Sequence, residues 1–562
     1  MKSHSILVRF PGYPFTFEAL MPDHELASTA GCLLAEGHET VIRDFGTVGL
    51  VDRLFPEEVR GATNEMAERF LEGVQLNALR ALHVLWQLRT IDRAFQTRQV
   101  ACCEELAEKL GHAPGIDFIA LKIDHPDDLH SAILLAKRIR HHAADVCLVA
   151  FGRIADLYGR QLVNTTTAFD CVCAGDPEIG MTALAENIHN REAWPTLPNL
   201  ILPGTDRPCH TQQEYVRDLN ALPEPVYDAE VYRALRNNRK LKLFPIEESR
   251  GCDKTCNHCP KPGQEGGLRL RSAHRVTAQM RRIAALYGVG TFRLAGEGAP
   301  TGHALEVARA IHESGQQAVY SREGNLLTAD AALFPILKGS GCVSLAYRIG
   351  SGSQRLLRDY FGLNTGVTRI EGLLRGCRET GLVTVARFIY PTPADDLHTR
   401  AETLRLIDRV RPDAGLIELP EVLPRTAWYQ QPWRFGFGMS FGTRLDKLLR
   451  TRSRFGVPPG RWGSFPYRMG TLTSTQVLQC HESMIHEVEL LGVAAYMLHE
   501  TPLVAHVLGW QNTLMEFRNE VMRRFLTGDV HGIARMVKDF NVRAGAGVSL
   551  AQGAGLRAAV GN

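Results

Sequence analysis

Three things are scarce in this sequence of 562 residues. One is charge of a single sign: 64 Lys and Arg stand against 61 Asp and Glu, a net of +3, which leaves no field for wrapping nucleic acid or docking on an anionic membrane. Long apolar runs are missing too. Stretches such as VCLVAFG (146–152) are strand-sized and well short of the roughly 20 residues that span a bilayer. No early basic-then-apolar segment resembles a secretory signal. The third is cysteine: 13 are few for a disulfide scaffold of this length, and an odd number leaves at least one unpaired. These absences predict a cytoplasmic protein with reduced thiols, a small-molecule substrate, no nucleic acid partner and no membrane span. Core material is ordinary, with 44% hydrophobic and 22% charged residues, and the length suits roughly two to four domains.

Residues 1–190 alternate between strand-like and helical patterns. SILVRF (5–10), ETVIRDFG (39–46), DFIALKI (117–123), DVCLVAFG (145–152) and FDCVCAG (169–175) read as strands. HELASTAGCLLAEGH (24–38), DLHSAILLAKRIRHH (128–142) and IGMTALAENIH (179–189) read as helices. The alternation predicts an α/β domain with a parallel sheet covered on both faces. Its ligand should sit beyond the carboxyl ends of the strands, in the loops PGYP (11–14), FGR (151–153) and AGDPE (174–178). A helical insertion occupies about 56–112. Prolines at 195, 198, 203, 208, 223 and 225 make 191–242 a connecting arm. A second alternation with six strands, over 243–430, fits a partial (β/α)6 barrel. Residues 431–562 read as a mainly helical cap that ends in a loose tail from 544.

The informative segment is ESRGCDKTCNHCPKPG (248–263). Cys252, Cys256 and Cys259 follow a strand as C-x-x-x-C-x-x-C. Three thiolates this close on one loop can hold three irons of a cubane and leave the fourth open. A structural zinc would want a fourth protein ligand, which His258, adjacent to Cys259, supplies only awkwardly. The other ten cysteines, including Cys102, Cys103, Cys171 and Cys173, read mainly as small buried hydrophobes.

At these residues the chain resembles the radical S-adenosylmethionine (SAM) superfamily, and the resemblance extends past the cysteines. It implies a 4Fe-4S cluster whose open iron is chelated by the amino and carboxylate groups of SAM. His258 stands where that family usually has an aromatic residue. RLAGEGAP (293–300) resembles the Gly–Glu pair that meets the SAM amine, which makes Gly296 and Glu297 candidates; a carboxylate suits an ammonium through charge-assisted hydrogen bonds. YSREGNL (320–326) resembles a third strand end that reaches the ribose, with Ser321, Glu323 and Asn325. YRIGSGSQRLL (347–357) resembles a G-I-E-S-G-S-Q segment, with Gly350 in place of the glutamate and Ser351, Ser353 and Gln354 retained. In VARFIYPTPADD (385–396), Arg387 is placed to meet a SAM carboxylate or to make a structural ion pair. ELPEVLPRTAWY (418–429) resembles the last strand and its turn, with Arg425 replacing a glycine.

No G-x-G-x-x-G follows the first strand, which argues against a dinucleotide. DCVCAGDPE (170–178) instead resembles the D-x-V-x-x-G-E-x-E stretch of the cobalamin-binding domain carried by a large radical SAM subgroup. The motif order covers roughly residues 5–430. The resemblance implies a corrinoid contacted near Pro11, Gly12, Tyr13, Gly152, Arg153, Gly175 and Asp176. The D-x-H-x-x-G motif that brings a histidine to cobalt is absent, so no lower-face histidine is expected. Asp128 and His130 read as an amphipathic surface turn. The insertion at 56–112 is a candidate lid, with Arg69 and His83 read as part of its solvated face.

The implied activity is a cobalamin-dependent radical SAM methyltransferase that moves a methyl from SAM through methylcobalamin to carbon, served by an external flavodoxin- or ferredoxin-like electron donor. Alternatives within the same assembly are oxidative cyclisation or rearrangement, and polar methyl transfer to an aromatic ring such as an indole. A corrinoid carrier is the non-enzymatic alternative. The aromatic and basic stretches 428–444 and 461–468 put Tyr429, Trp433 and Trp462 forward as residues that stack on a substrate or pack between domains. The sequence assigns no catalytic acid or base.

Overall fold

Two parallel sheets form where the apolar runs recur. The computed structural model describes residues 2–72, 78–204, 208–260, 266–296, 298–439, 467–498 and 500–559, with side chains at all of these except 69–72, 78–85, 126, 127, 165 and 546–559. The first sheet contains β1 (His4–Arg9), β2 (Glu39–Asp44), β3 (Phe118–Lys122), β4 (Cys147–Phe151) and β5 (Cys171–Cys173) in the order β2-β1-β3-β4-β5, all parallel. The central strands β3 and β4 are buried along their whole length, as strands covered on both faces must be. Helices His24–Ala35, Pro126–His142 and Arg153–Thr165 make three of the crossovers, the helical stretch between β2 and β3 makes the fourth, and Pro177–Glu186 follows β5.

The connecting arm is ordered. Its first part adds β6 (Leu200–Leu202) and β7 (Cys209–His210) to the sheet as antiparallel strands. Its second part stays on the same domain: Val226 N donates to Ala27 O at 2.9 Å, and Ile42 N donates to Val231 O at 2.9 Å. Cys209 is exposed, a correction to its reading as a buried hydrophobe.

The second sheet is β8 (Phe244–Glu247), β11 (Thr291–Ala295), β12 (Val319–Glu323), β13 (Cys342–Gly350), β14 (Val383–Ile389) and β15 (Ala414–Glu418), side by side in chain order and parallel throughout. A two-stranded ladder of β9 (Ser249–Arg250) and β10 (Arg269–Leu270) brackets the cysteine loop. This is the partial (β/α)6 barrel expected from the sequence.

The carboxy-terminal region does more than cap. Residues after the helix Ser474–Leu490 run beside β15, where Gly415 N donates to Ala494 O at 2.9 Å. Helix Leu514–Leu526 returns to the amino-terminal domain, stacking Phe517 on Phe17. The stretch from 544, a loose tail by sequence, continues as helix to Ala559.

Candidate active site between the two sheets

A strand order of 2-1-3-4-5 has its topological switch point between β1 and β3, where such sheets take their ligand. A cavity of about 440 Å³ opens there, reached by Arg9, Lys122 and Asp124 from the ends of those strands. It extends to β8, β11 and the edge of the cysteine loop, where Glu247, Arg250, Gly251, Pro260, Arg293 and Gly296 line it.

Its sheet-side wall is a built network of charge. Lys122 Nζ lies 2.8 Å from Asp23 Oδ2, 3.1 Å from Glu25 and 2.7 Å from Asp124. Burial works against this ammonium, but the three carboxylates hold its pKa well above the ordinary lysine value. Glu25 is pushed up to about 8, first by burial, with Asp124 and Asp23 adding repulsion. Asp23 also caps the helix that carries Glu25, accepting from Leu26 N at 3.0 Å. Deeper, Lys240 Nζ reaches Asp44 at 2.5 Å, both fully buried, and Tyr232 donates to the same carboxylate at 2.6 Å. Burial pushes Lys240 down to about 8 despite Asp44.

Of the residues expected near a corrinoid, Gly152, Arg153, Gly175 and Asp176 line the cavity. Gly152 and Gly175 have φ of 94° and 77°, left-handed values that favour glycine. A Cβ on Gly152 would lie 2.7 Å from Asp124 Oδ1. Pro11, Gly12 and Tyr13 are not among the lining residues. The Tyr13 ring is buried and its hydroxyl donates to Phe525 O at 2.7 Å. Asp128 is buried rather than a surface turn, and it accepts from His125 N at 3.0 Å. The side chains of Arg69 and His83 lie outside the described residues, as do Glu297 and Trp462.

The three cysteines share one half-buried loop. Burial pushes the Cys256 thiol up to about 12, and Cys259 and Cys252 add to the shift. Among the described residues no three His, Cys, Asp or Glu side chains converge on a single ion. A cubane asks for something else, one thiolate on each of three irons, and Cys252, Cys256 and Cys259 are the three free thiols of this loop that would supply them. Neighbours hold the loop in place: Asn257 Nδ2 donates to Tyr360 O at 3.0 Å and Asn257 N to Phe361 O at 3.0 Å. Tyr360 ends a π-helix, Leu356–Tyr360, a local form often found at functional sites. His258 packs against the rings of Phe361 and Trp428. Burial lowers its pKa to about 4.

The barrel lumen fits a polar ligand. Register places Arg293, Ser321 and Ser344 on one face of adjacent strands, the face by which Arg293 reaches the cavity. Ser249, Ser321, Ser344 and Ser353 are buried, and their hydroxyls have no partner among the described residues. Buried hydroxyls are normally satisfied, so a run of such groups favours a ligand that supplies the partners. Gly296, at φ 142°, presses against the loop: a Cβ there would lie 2.2 Å from Ser249 Oγ.

Other expected SAM contacts are engaged within the protein. Ser351 Oγ lies 3.3 Å from Thr403 Oγ1. Asn325 Nδ2 donates to Gly298 O at 3.1 Å, and Gln354 caps the helix Val367–Thr380 by accepting from Val367 N at 2.9 Å. Arg387 pairs with Glu418 at 2.6 Å and stands 3.8 Å from Glu323, the ion-pair alternative of its two readings. Arg425 adopts φ 68°, the conformation for which the resembled turn uses glycine, and its guanidinium meets both Asp156 oxygens at 3.1 Å. Tyr429 is half-buried; Trp433 is 73% exposed.

Sequence reasoning missed Lys122, His24 and Arg250. Lys122 ends an otherwise apolar strand, and a lone charge there was the available signal. His24 lines the cavity with Nδ1 3.2 Å from the Tyr227 hydroxyl; nothing in its helical context marked it.

No protein-family model matches the chain. Among curated proteins, the chain is 28% identical over 157 residues to cytidylyl-2-hydroxyethylphosphonate methyltransferase of Streptomyces wedmorensis; the match spans 27% of this chain and 29% of that protein. Among solved structures, the fold matches the radical S-adenosylmethionine methyltransferase TsrM from Kitasatospora setae, solved with cobalamin and a 4Fe-4S cluster bound. The TM-score is 0.62 at 14% identity, covering 93% of this chain and 99% of that one. It also matches the cobalamin-dependent S-adenosylmethionine radical enzyme OxsB, solved with aqua-cobalamin and S-adenosylmethionine, at a TM-score of 0.52 and 13% identity over 87% of this chain and 62% of that one. At these identities the likeness is one of fold, and it covers both sheets.

Proposed function

We propose that this chain is a cobalamin-dependent radical SAM methyltransferase. It moves a methyl group from SAM, by way of a corrinoid on the amino-terminal sheet, to carbon of a small-molecule substrate. The observation that carries this reading is the single cavity that joins the switch point of the first sheet to the strand leading into the cysteine loop. The fold shared with TsrM and OxsB supports it.

When bound, the cluster and the corrinoid supply the electron transfer and the methyl-carrying chemistry, and the protein supplies placement and exclusion of water. Cys252, Cys256 and Cys259 would hold the cluster. Gly296 lets the chain after β11 approach Ser249 closely, and Glu297, by the resemblance, would accept from the SAM ammonium. Ser321 and Ser353 would hydrogen-bond the rest of that molecule. The Gly152–Arg153 and Gly175–Asp176 turns would carry the corrinoid. Burial raises the Glu25 pKa above the usual carboxylate value, and its ion pair with Lys122 opposes that rise. A flavodoxin- or ferredoxin-like protein would deliver electrons. No helix among the described residues is long and apolar enough to cross a membrane.

The test is anaerobic reconstitution of the full chain with iron, sulfide and hydroxocobalamin, followed by incubation with methyl-labelled SAM and a reductant. SAM consumption that requires both cofactors is expected. A fully loaded protein that leaves SAM intact would overturn the reading.

A further inference from the structure

Arg250 sits two residues before Cys252 and meets three carboxylates from two sheets. Its Nε donates to Glu247 Oε1 at 2.8 Å and its Nη2 to Glu247 Oε2 at 3.1 Å. Its Nη1 and Nη2 make a second forked pair with Glu178, at 3.1 and 2.9 Å. Nη1 also lies 3.1 Å from Asp176. Glu247 ends β8, whereas Asp176 and Glu178 lie in the turn after β5 and the start of its helix. Both partners on that turn are held from behind. Ser28 donates to Glu178 at 2.6 Å, and Arg269 and Val216 N donate to Asp176 at 2.6 and 2.7 Å.

The guanidinium is a planar fork, and here two of its edges are used bidentately. That geometry fixes angle as well as distance, which an ammonium cannot do. Burial opposes the charge of Glu178, yet Arg250 holds its pKa below the usual carboxylate value, so the pair stays ionic at neutral pH. Buried ion pairs of this kind contribute little net stability relative to apolar packing, and their best-attested use is to fix register. The domains are also joined by Arg269 to Asp176, by Arg425 to Asp156 and by the carboxy-terminal helix that stacks Phe517 on Phe17, so cohesion does not rest on this group alone.

We propose that Arg250 is a positioning residue that sets the cluster loop against the corrinoid-facing end of the first sheet, so that its loss uncouples the two cofactors without unloading either. The proposal rests on the function read above. Arg250→Gln and Arg250→Lys are prepared as full-length holoproteins, with Glu178→Gln as a second variant that leaves the Glu247 fork intact. Iron and corrinoid contents are measured, and pulsed electron paramagnetic resonance reads the distance between the reduced cluster and cob(II)alamin. Wild type should give one narrow distance. Arg250→Gln should load both cofactors as wild type does and lose that narrow distance. Arg250→Lys should fail to restore it, and Glu178→Gln should shift it in the same direction by less. Unchanged narrow distances in loaded Arg250→Gln would overturn the proposal and leave the proposed function standing. If Arg250→Gln does not fold, unchanged distances in Glu178→Gln would overturn it equally. A wild type that binds neither cofactor would overturn the function itself, and this proposal with it.

Discussion

The two parallel sheets differ in how certain buried polar groups around their strands are paired. On the amino-terminal sheet they satisfy one another: Lys122 is surrounded by Asp23, Glu25 and Asp124, and Lys240 is locked to Asp44 and its Tyr232 neighbour. In the barrel, the hydroxyls of Ser321, Ser344 and Ser353 are buried with no partner among the described residues. The first arrangement is a finished wall that fixes the shape of a cavity. The second is one half of a set of hydrogen bonds, and it suits a ligand that brings the other half. The lesson is that a wall and a ligand cradle can be told apart by counting which buried polar atoms are already paired.

That contrast can be broken by substitution. The largest effect belongs to the loop between the sheets. Cys256→Ala should abolish the four-iron absorbance and all SAM turnover while corrinoid uptake persists, which absorption spectra and iron analysis will register. Next is the wall: Asp44→Ala leaves Lys240 buried without its counter-charge, and denaturant titration should show a loss of about 3–5 kcal/mol. Asp44→Ala protein that remains folded should still load its cluster. The lumen should behave in the reverse manner. Ser321→Ala should leave unfolding unchanged and weaken SAM binding by about 0.5–1.5 kcal/mol, up to about tenfold, by calorimetry. The smallest effect concerns His258. Its folded-state pKa of about 4 lies below the ordinary 6.5, so its contribution is full above pH 6.5 and is lost as pH falls through 4. His258→Phe should flatten that part of the pH dependence of thermal unfolding in the cluster-free protein.

Much of this was legible in the sequence because alternation of apolar runs reports strands directly. Every strand expected in the first 190 residues formed within two residues of its expected ends, and the six barrel strands followed. The cysteine spacing located the loop, and the Gly152 and Gly175 turns were marked by residues whose left-handed φ the fold requires. What escaped was long-range. Arg250 reads as one of many arginines until the fold brings Glu178, 72 residues earlier, to it. Tyr13, placed by sequence beside a corrinoid, is drawn into the core by Phe525, 512 residues later. The arm looked like a tether because its prolines break helices, and prolines do not exclude two short edge strands. Arg425 takes a left-handed φ at the position where the resembled turn has glycine, and its guanidinium pairs with Asp156.

The central claim is that one cavity brings a cluster-bearing loop and a corrinoid-bearing sheet together. Anaerobic reconstitution of the full chain, followed by quantitation of iron and corrinoid on the same purified protein, tests it most directly. The account predicts about four irons together with one corrinoid per chain, the iron lost and the corrinoid kept in Cys256→Ala. Wild-type protein that retains neither, or that retains iron unchanged in Cys256→Ala, would contradict it.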